Sequence, residues 1–251
     1  MRYFVAFSYF GAAYHGWQIQ PNAITVQEEL EKAFSTLLKE KISLMGAGRT
    51  DAGVHAKQMY AHFNTTPISN TVDLMRRLNS FLPDDIAIQN IYEVPEDAHA
   101  RFNATERTYE YLITTQKDPF SIATTHYIKQ KLNIEKMNKA AQLLLGKQDF
   151  ECFSKSKTDV KTYYCTVKKA IWEQKEDKFV FTITADRFLR NMVRAIVGTL
   201  LDVGTGKITT DHIHTIIASK SRAEAGTSVP AKALYLTQVL YPKNIIKVKN
   251  V

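Results

Sequence analysis

The alternation of apolar and polar residues predicts two successive groups of strands and helices. In the first group, strands are predicted at residues 2–9, 41–45, 55–65 and 86–94, and helices from residue 25 onwards and at 72–82. The first helix opens with the capping-box pattern Thr25-Val-Gln-Glu28, and its apolar residues recur at three- and four-residue spacing. The resulting order, βαββαβ, is typical of ferredoxin-like folds.

The second half of the chain is predicted to repeat this order without repeating its sequence. Its predicted elements are a strand at 107–115, a helix at 134–145, a hairpin at 162–173 and 178–185, a helix at 188–203, an extra helix at 211–219 and a last strand at 233–241. We therefore predict an α+β protein of two ferredoxin-like halves, residues 1–105 and 106–251, with a central antiparallel sheet and a cleft between the halves.

The segment Gly46-Ala-Gly-Arg-Thr-Asp-Ala-Gly-Val-His55 has the composition of a functional site rather than of a core. Its three glycines give the backbone conformational freedom and let another group approach closely. Asp51 is ionised at neutral pH and available as a nucleophile or base, and the guanidinium of Arg49 nearby would oppose the cost of burying that charge. An ordinary glycine turn with a surface arginine and aspartate stays the alternative at this point.

Composition and charge narrow the range of partners and compartments. Lys and Arg outnumber Asp and Glu by 33 to 25, and the net charge of +8 favours a polyanionic partner such as RNA or DNA. A basic enzyme without such a partner is the alternative. The two cysteines form no Cys-x-x-Cys unit, no apolar run reaches the length of a membrane span, and no signal-peptide core opens the chain. These features favour the cytoplasm.

Two further patterns are consistent with RNA contact. Arg187, Arg190 and Arg194 recur at helical spacing and either contact phosphates or form a solvated face, while Gly198 would let backbone or nucleic acid come close. Two tyrosines, at 109 and 111, share one face of a predicted strand. They either stack on unpaired bases or belong to the sheet and its core.

Motifs of other chemistries are incomplete. Gly204-Thr-Gly206-Lys207 lacks the upstream glycine and the following Ser or Thr of a P-loop. His212 and His214 are not spaced as the i, i+4 pair of a helical zinc site. Asp51 and His55 could form an acid–imidazole dyad, but no Gly-x-Ser-x-Gly elbow accompanies them. Metal-dependent or triad hydrolysis is therefore disfavoured.

Taken together, these segments resemble the tRNA pseudouridine synthase A family over nearly the whole chain. The matching residues, in chain order, are Tyr9-Phe-Gly11, Tyr14-His-Gly-Trp-Gln18, Gly46 through His55, Leu78-Asn79, Leu82-Pro83, Asp85-Ile86, His99-Ala-Arg-Phe102, Arg107, Tyr109, Asp149-Phe150, Phe153, Phe188 and Met192-Val-Arg-Ala-Ile-Val-Gly198. The chain departs from the family pattern at Gln58-Met59 and at Ala225-Gly-Thr-Ser-Val229. These departures bear on which uridines are reached.

The resemblance implies the pseudouridine synthase fold and the conversion of uridine to pseudouridine in the anticodon stem-loop of tRNA, at tRNA positions 38, 39 and 40, without cofactor or metal. It implies that Asp51 is the nucleophile that detaches uracil from ribose and that Arg194 pairs with it. By the same resemblance, Tyr109 lies over the flipped uracil. Arg49 fills the space left by the extruded base, and Leu234 lines the pocket. A homodimer that holds tRNA across both subunits is also implied.

Several alternatives stay open on the sequence. The carboxylate could attack the anomeric carbon, depart by elimination or add to carbon 6 of the base. A non-catalytic RNA-binding protein of two ferredoxin-like modules would tolerate Asp51→Asn, and would more comfortably carry an RNP1-type aromatic strand, which is not found. A small-molecule hydrolase would bind its substrate with little dependence on salt, whereas phosphate contacts weaken as salt rises.

Overall fold

The described residues of the computed structural model, 1–155 and 160–246, form two compact units. One unit comprises residues 1–106 together with the described residues from 236 onwards, and the other comprises residues 107–235. The predicted α+β class is confirmed. The division into domains between residues 105 and 106 stays a prediction. None of the helices in the described ranges is long and apolar enough to cross a membrane.

The first unit has the predicted order βαββαβ. Its elements are β1 (Arg2–Tyr9), α1 (Val26–Leu38), β2 (Met45–Gly46), β3 (His55–Asn64), α2 (Thr71–Phe81) and β4 (Ile86–Val94). The strands pair antiparallel in the order β4-β1-β3, and β2 pairs with the other side of β3. This is the strand arrangement expected of a ferredoxin-like half, and its helices carry the buried apolar positions that cover the sheet.

The start of α1 follows from the capping pattern. The Thr25 side chain accepts a hydrogen bond from the Glu28 backbone N–H, which satisfies one of the unpaired donors of the first turn. From there, the buried face of the helix continues to Phe34, whose ring lies 4.9 Å from that of Phe63 on β3. The sequence-based prediction of this helix is confirmed.

The predicted strand at residues 41–45 is wrong, because β2 contains only two residues. The backbone N–H of Ile42 donates to the Ser35 hydroxyl at 2.9 Å, and that of Leu44 donates to a Glu31 carboxylate oxygen at 2.8 Å. Side chains of α1 thus take up the amides of this segment. The chain entering the glycine-rich segment is tied to the helix rather than to a neighbouring strand.

The second unit contains the remaining elements. They are β5 (Glu106–Thr114), β6 (His126–Tyr127), α3 (Ile134–Gln142), β7 (Gly146–Asp149), β8 (Tyr164–Lys175), β9 (Lys178–Ala185), α4 (Met192–Gly204), α5 (His212–Ser219) and the first residues of β10 (Leu234–Leu240). The strands β5, β9, β8 and β7 pair antiparallel in that order, and β6 pairs parallel with β5. The part of β10 from residue 236 belongs to the first unit, where Val239 donates its N–H to the Gln58 side chain.

The helix α4 begins later than predicted, which corrects the proposed arginine face. Asn191 precedes it with φ +67°, a left-handed conformation that an α-helix cannot continue through. Arg187 and Arg190 therefore lie before the helix and only Arg194 lies within it. The prediction of three arginines along one helical face is wrong. The helix is mostly buried, in keeping with its apolar sequence.

The expectation of a close approach at Gly198 is confirmed, and the approaching group is the protein's own backbone. A Cβ atom at this position would lie 1.9 Å from the carbonyl oxygen of Thr227. A Cβ at the residue before Thr227, Gly226, would lie 2.7 Å from backbone atoms of α4, and the Gly226 N–H donates to the Thr199 hydroxyl at 2.8 Å. The segment 225–229 is thus held against α4 at a distance that only glycine permits.

We expect Gly198→Ala to lower the free energy of unfolding by about 1 to 3 kcal/mol, because the added methyl group forces helix and segment apart. Urea denaturation measures the change. Gly48→Ala is the matched control, since a Cβ there meets nothing within 4 Å. Equal midpoints for wild type and Gly198→Ala would show that the segment yields without cost.

A second prediction concerns His62 on β3, which is buried and accepts the Ala100 N–H at Nδ1 over 3.1 Å. Burial, with the charges of His99 and Arg2, lowers the pKa of His62 to about 4. Because this pKa lies below the ordinary value of 6.5, neutral His62 contributes to the free energy of unfolding above pH 6.5. That contribution is lost as the pH falls through 4.

Urea midpoints measured between pH 7 and pH 4 should therefore fall less steeply in His62→Asn than in wild type, because an Asn oxygen accepts the same N–H without titrating. The control is His214→Asn, which alters an exposed histidine. Parallel pH profiles for wild type and His62→Asn would contradict the assignment.

Candidate active site

Two segments of the first unit pack backbone against backbone around Asp51. They are residues 46–55, called the glycine loop, and residues 10–17, called the clamp segment. Trp17 donates its N–H to the Thr50 carbonyl at 3.3 Å, and Gly53 donates its N–H to the Tyr14 carbonyl at 3.3 Å. These bonds lie on either side of Asp51 in the chain. The backbone that carries the carboxylate is thereby fixed from both directions.

The close contact of the two segments explains the glycines at positions 11, 16 and 46. A Cβ at Gly11 would lie 2.0 Å from a carbonyl oxygen of the glycine loop, and one at Gly16 would lie 2.4 Å from another. Gly16 also has φ +94°, which L residues rarely adopt. On the other side, a Cβ at Gly46 would lie 2.6 Å from the indole ring of the clamp segment. Any other residue type would have to displace backbone at Gly11 and Gly16, and the indole ring at Gly46.

His55 closes the glycine loop in a structural role. It is 1% exposed, its Nδ1 accepts the Gly11 N–H at 2.9 Å, and its ring stacks on Phe10 with the centroids 4.3 Å apart. The Nδ1 lone pair is therefore used to hold the clamp segment.

Asp85 is a positioning residue that sequence reasoning did not single out. Its carboxylate accepts a hydrogen bond from the Tyr14 hydroxyl at 2.5 Å, and its backbone carbonyl accepts one from the Phe10 N–H at 2.8 Å. Burial and the adjacent carboxylate raise the pKa of Tyr14, so the phenol stays a donor. The one signal in the sequence was its place in the Asp85-Ile86 match. The clamp segment is thus tied to the start of β4.

The two predicted site residues of the glycine loop differ in exposure. Asp51 is partly buried, and Arg49 is exposed. The support of the Asp51 charge by the Arg49 guanidinium stays a prediction. The loop presents a carboxylate at its inner part and a long cation towards solvent.

In the second unit, Arg194 is partly buried on α4 and fixed by its neighbour. Its Nε donates to the Val229 carbonyl at 2.7 Å, and the Val229 N–H donates back to the Arg194 carbonyl at 3.2 Å. The Ser228 hydroxyl accepts from Asn191 and from Arg222, each at 2.7 Å. The departure from the family pattern at residues 227–229 therefore lies directly beside Arg194, and Ser228 and Val229 are hydrogen-bonded there.

The tyrosines of β5 have different surroundings. Tyr111 is fully buried and donates its hydroxyl to the Pro230 carbonyl at 2.9 Å, so the core interpretation is confirmed for it. Tyr109 is partly exposed and meets Phe188 edge-on, with 5.1 Å between ring centroids. Leu234, at the start of β10, is 5% exposed. Among the described residues, no three His, Cys, Asp or Glu side chains are grouped to hold a metal ion.

Comparison with known proteins gives matches along most of the chain. A family model described as tRNA pseudouridine synthase matches residues 5–103 and 140–242. The tRNA pseudouridine synthase A of Parabacteroides distasonis is 50% identical over 250 residues, which cover 99% of both chains. That of Bacteroides thetaiotaomicron is 51% identical over 97% of this chain and 92% of the relative. That of Clostridium acetobutylicum is 44% identical over 93% and 96%.

We expect Gly16→Ala to loosen the contact between the clamp segment and the glycine loop, because the new methyl group meets a carbonyl and the backbone is strained. Hydrogen exchange of the Trp17 and Gly53 amides, which bond across the contact, should become about tenfold faster or more, as about 1.4 kcal/mol of local destabilisation requires. Gly48→Ala, in open space, should leave both amides unchanged. Unchanged protection in Gly16→Ala would show that the contact does not need glycine.

Proposed function

Because this chain belongs to the tRNA pseudouridine synthase family, we propose that it isomerises uridine to pseudouridine in the anticodon stem-loop of tRNA, with Asp51 as the nucleophile. The observation that supports this role most directly is the fixed backbone around Asp51, bonded to the clamp segment on both sides. A carboxylate held in one place loses little entropy on reaching its target, which is a large part of what an active site supplies.

The reaction balances within the substrate. The bond between ribose C1′ and uracil N1 breaks, a bond from C1′ to C5 forms, the C5 proton leaves, and a proton returns to N1. No electron or group has to come from elsewhere, so the chain needs only an ionised carboxylate and a site that holds the base. An ionised carboxylate is needed in all three routes: direct attack on C1′, elimination and addition at C6.

The remaining predicted residues have properties that suit substrate binding. The guanidinium of Arg194 is anchored at Nε, as suits a cation that orients an anion. The ring of Tyr109 is braced by Phe188 and partly exposed, as suits stacking on a base. We assign Arg49 to the gap left by the flipped nucleotide and Leu234 to the apolar lining of the uracil site.

The proposal extends to compartment and assembly. A tRNA substrate places the protein in the cytoplasm, and the buried free thiols of Cys152 and Cys165 are compatible with a reducing compartment. We further propose that the chain acts as a homodimer with tRNA as its partner. Light scattering of the purified protein, alone and with tRNA, tests the assembly independently of the reaction.

The catalytic assignment predicts that Asp51→Asn binds unmodified tRNA with a Kd within about twofold of wild type but forms pseudouridine more than about a thousandfold more slowly. Product is detected by carbodiimide labelling and mapped by position, with the anticodon-arm uridines expected to react. Asp84→Asn removes an exposed carboxylate with the same change of charge and should keep the wild-type rate.

A wild-type rate in Asp51→Asn would contradict the role of Asp51. Salt-dependent tRNA binding without any pseudouridine from the wild-type protein would instead favour a non-catalytic RNA-binding protein. Product confined to other parts of the tRNA would reject the anticodon arm while leaving the reaction in place.

A further inference from the structure

The turn at residues 98–103, called the 98–103 turn, is built around the side chain of His99. Its Nδ1 accepts the backbone N–H groups of Arg101 and Phe102, at 3.1 and 3.3 Å. Asn103 closes the turn, because its side-chain oxygen accepts the His99 N–H at 2.6 Å and its own N–H donates to the His99 carbonyl at 3.0 Å. The backbone of the turn is thus fixed by side chains within it.

The same turn is tied to other parts of the first unit. Ala100 donates its N–H to His62 on β3, and its carbonyl accepts the Tyr241 hydroxyl at 2.6 Å. The guanidinium of Arg2 donates to the Ala98 carbonyl at 3.0 Å. The turn is therefore a rigid support, and whatever it presents to solvent is presented in one position.

What the turn presents is an aromatic ring beside a cation. The Phe102 side chain is 74% exposed, although a phenylalanine is ordinarily buried in a folded protein. The centroids of its ring and of the His99 ring are 4.2 Å apart. The Arg101 guanidinium carbon lies 5.7 Å from the Phe102 ring centroid. Arg101 is exposed as well. An aromatic face with an adjacent cation is the combination that binds unpaired nucleotides.

We propose that the 98–103 turn is an RNA-binding site in which Phe102 stacks on an unpaired base of the tRNA and Arg101 contacts the adjoining phosphate. This inference rests on the proposed tRNA substrate and adds a contact to it. The net charge of +8 complements a polyanion, whereas a single exposed ring among charged residues falls far short of the roughly 1,200 Å² that a stable protein interface buries.

The chain offers a matched control at Phe120. That side chain is 98% exposed on a turn of the second unit, and the charged group bonded to its backbone N–H is the Asp118 carboxylate, which repels phosphate. Exposure is thus similar at the two phenylalanines and the sign of the adjacent charge is opposite. If exposed aromatic surface alone bound RNA, both positions would matter.

The test compares Phe102→Ala, Phe102→Leu, Phe102→Trp and Phe120→Ala in their Kd for unmodified tRNA and in their rate at saturating tRNA. We expect Phe102→Ala and Phe102→Leu to weaken binding about tenfold, the effect of losing one stacked base. Leu keeps apolar bulk without a flat ring, and Trp should restore binding. Phe120→Ala should bind as wild type and reach the wild-type rate at saturation.

Wild-type affinity in Phe102→Leu would overturn the stacking site, and so would a restored affinity with Leu but not with Trp. A lower molecular mass of Phe102→Ala with unchanged tRNA affinity per subunit would identify the turn as a contact between copies of the chain, and would also overturn it. Unaltered urea midpoints establish that the variants fold. Pseudouridine formation by wild type separates the outcomes, because its absence would reject the proposed function whatever Phe102 does.

Discussion

The first unit depends on a contact between the clamp segment and the glycine loop in which backbone meets backbone at Gly11 and Gly16. Two amide–carbonyl bonds cross this contact, and the carbonyl oxygens opposite Gly11 and Gly16 occupy the space that a methyl group would need. Ordering a residue costs about 1 to 2 kcal/mol of conformational entropy, so a loop with three glycines would not hold a carboxylate still by itself. The clamp segment supplies the order, and it is itself held by the bonds of His55 to Gly11 and of Asp85 to Tyr14.

The second unit uses the same kind of contact for a different group. Gly198 and Gly226 let the segment 225–229 lie directly on α4, and this contact places Val229 where it holds the Arg194 side chain. In our proposal, the nucleophile Asp51 and the cation Arg194 are each held through glycine-dependent backbone packing, which suits a reaction on a charged and flexible substrate. The 98–103 turn is held by histidine side chains instead of glycine contacts. It exposes an aromatic ring beside a cation.

Much of this architecture could be predicted from the sequence, where periodicity and local chemistry agree. The Thr25 cap and the apolar face of α1 specify that helix, and the composition of the glycine loop predicts a site there. The strand predicted at 41–45 and the early start of α4 were wrong for reasons that lie outside local patterns. Side chains of α1 accept hydrogen bonds from amides within residues 41–45, and the left-handed Asn191 prevents α4 from beginning early enough to include Arg187 and Arg190. The bond of Asp85 and the exposure of Phe102 required the structure, since a bond across 71 residues and an exposed ring have no periodic signature.

We propose that the clamp segment gives the glycine loop the geometry in which Asp51 reacts. The most direct test is the single-turnover rate of pseudouridine formation in Gly16→Ala at saturating tRNA. A shift of about 1 Å at a reacting group costs about a hundredfold in rate, so the account predicts a loss of that order with tRNA affinity preserved. A wild-type rate in a variant whose loop contact has measurably loosened would contradict it.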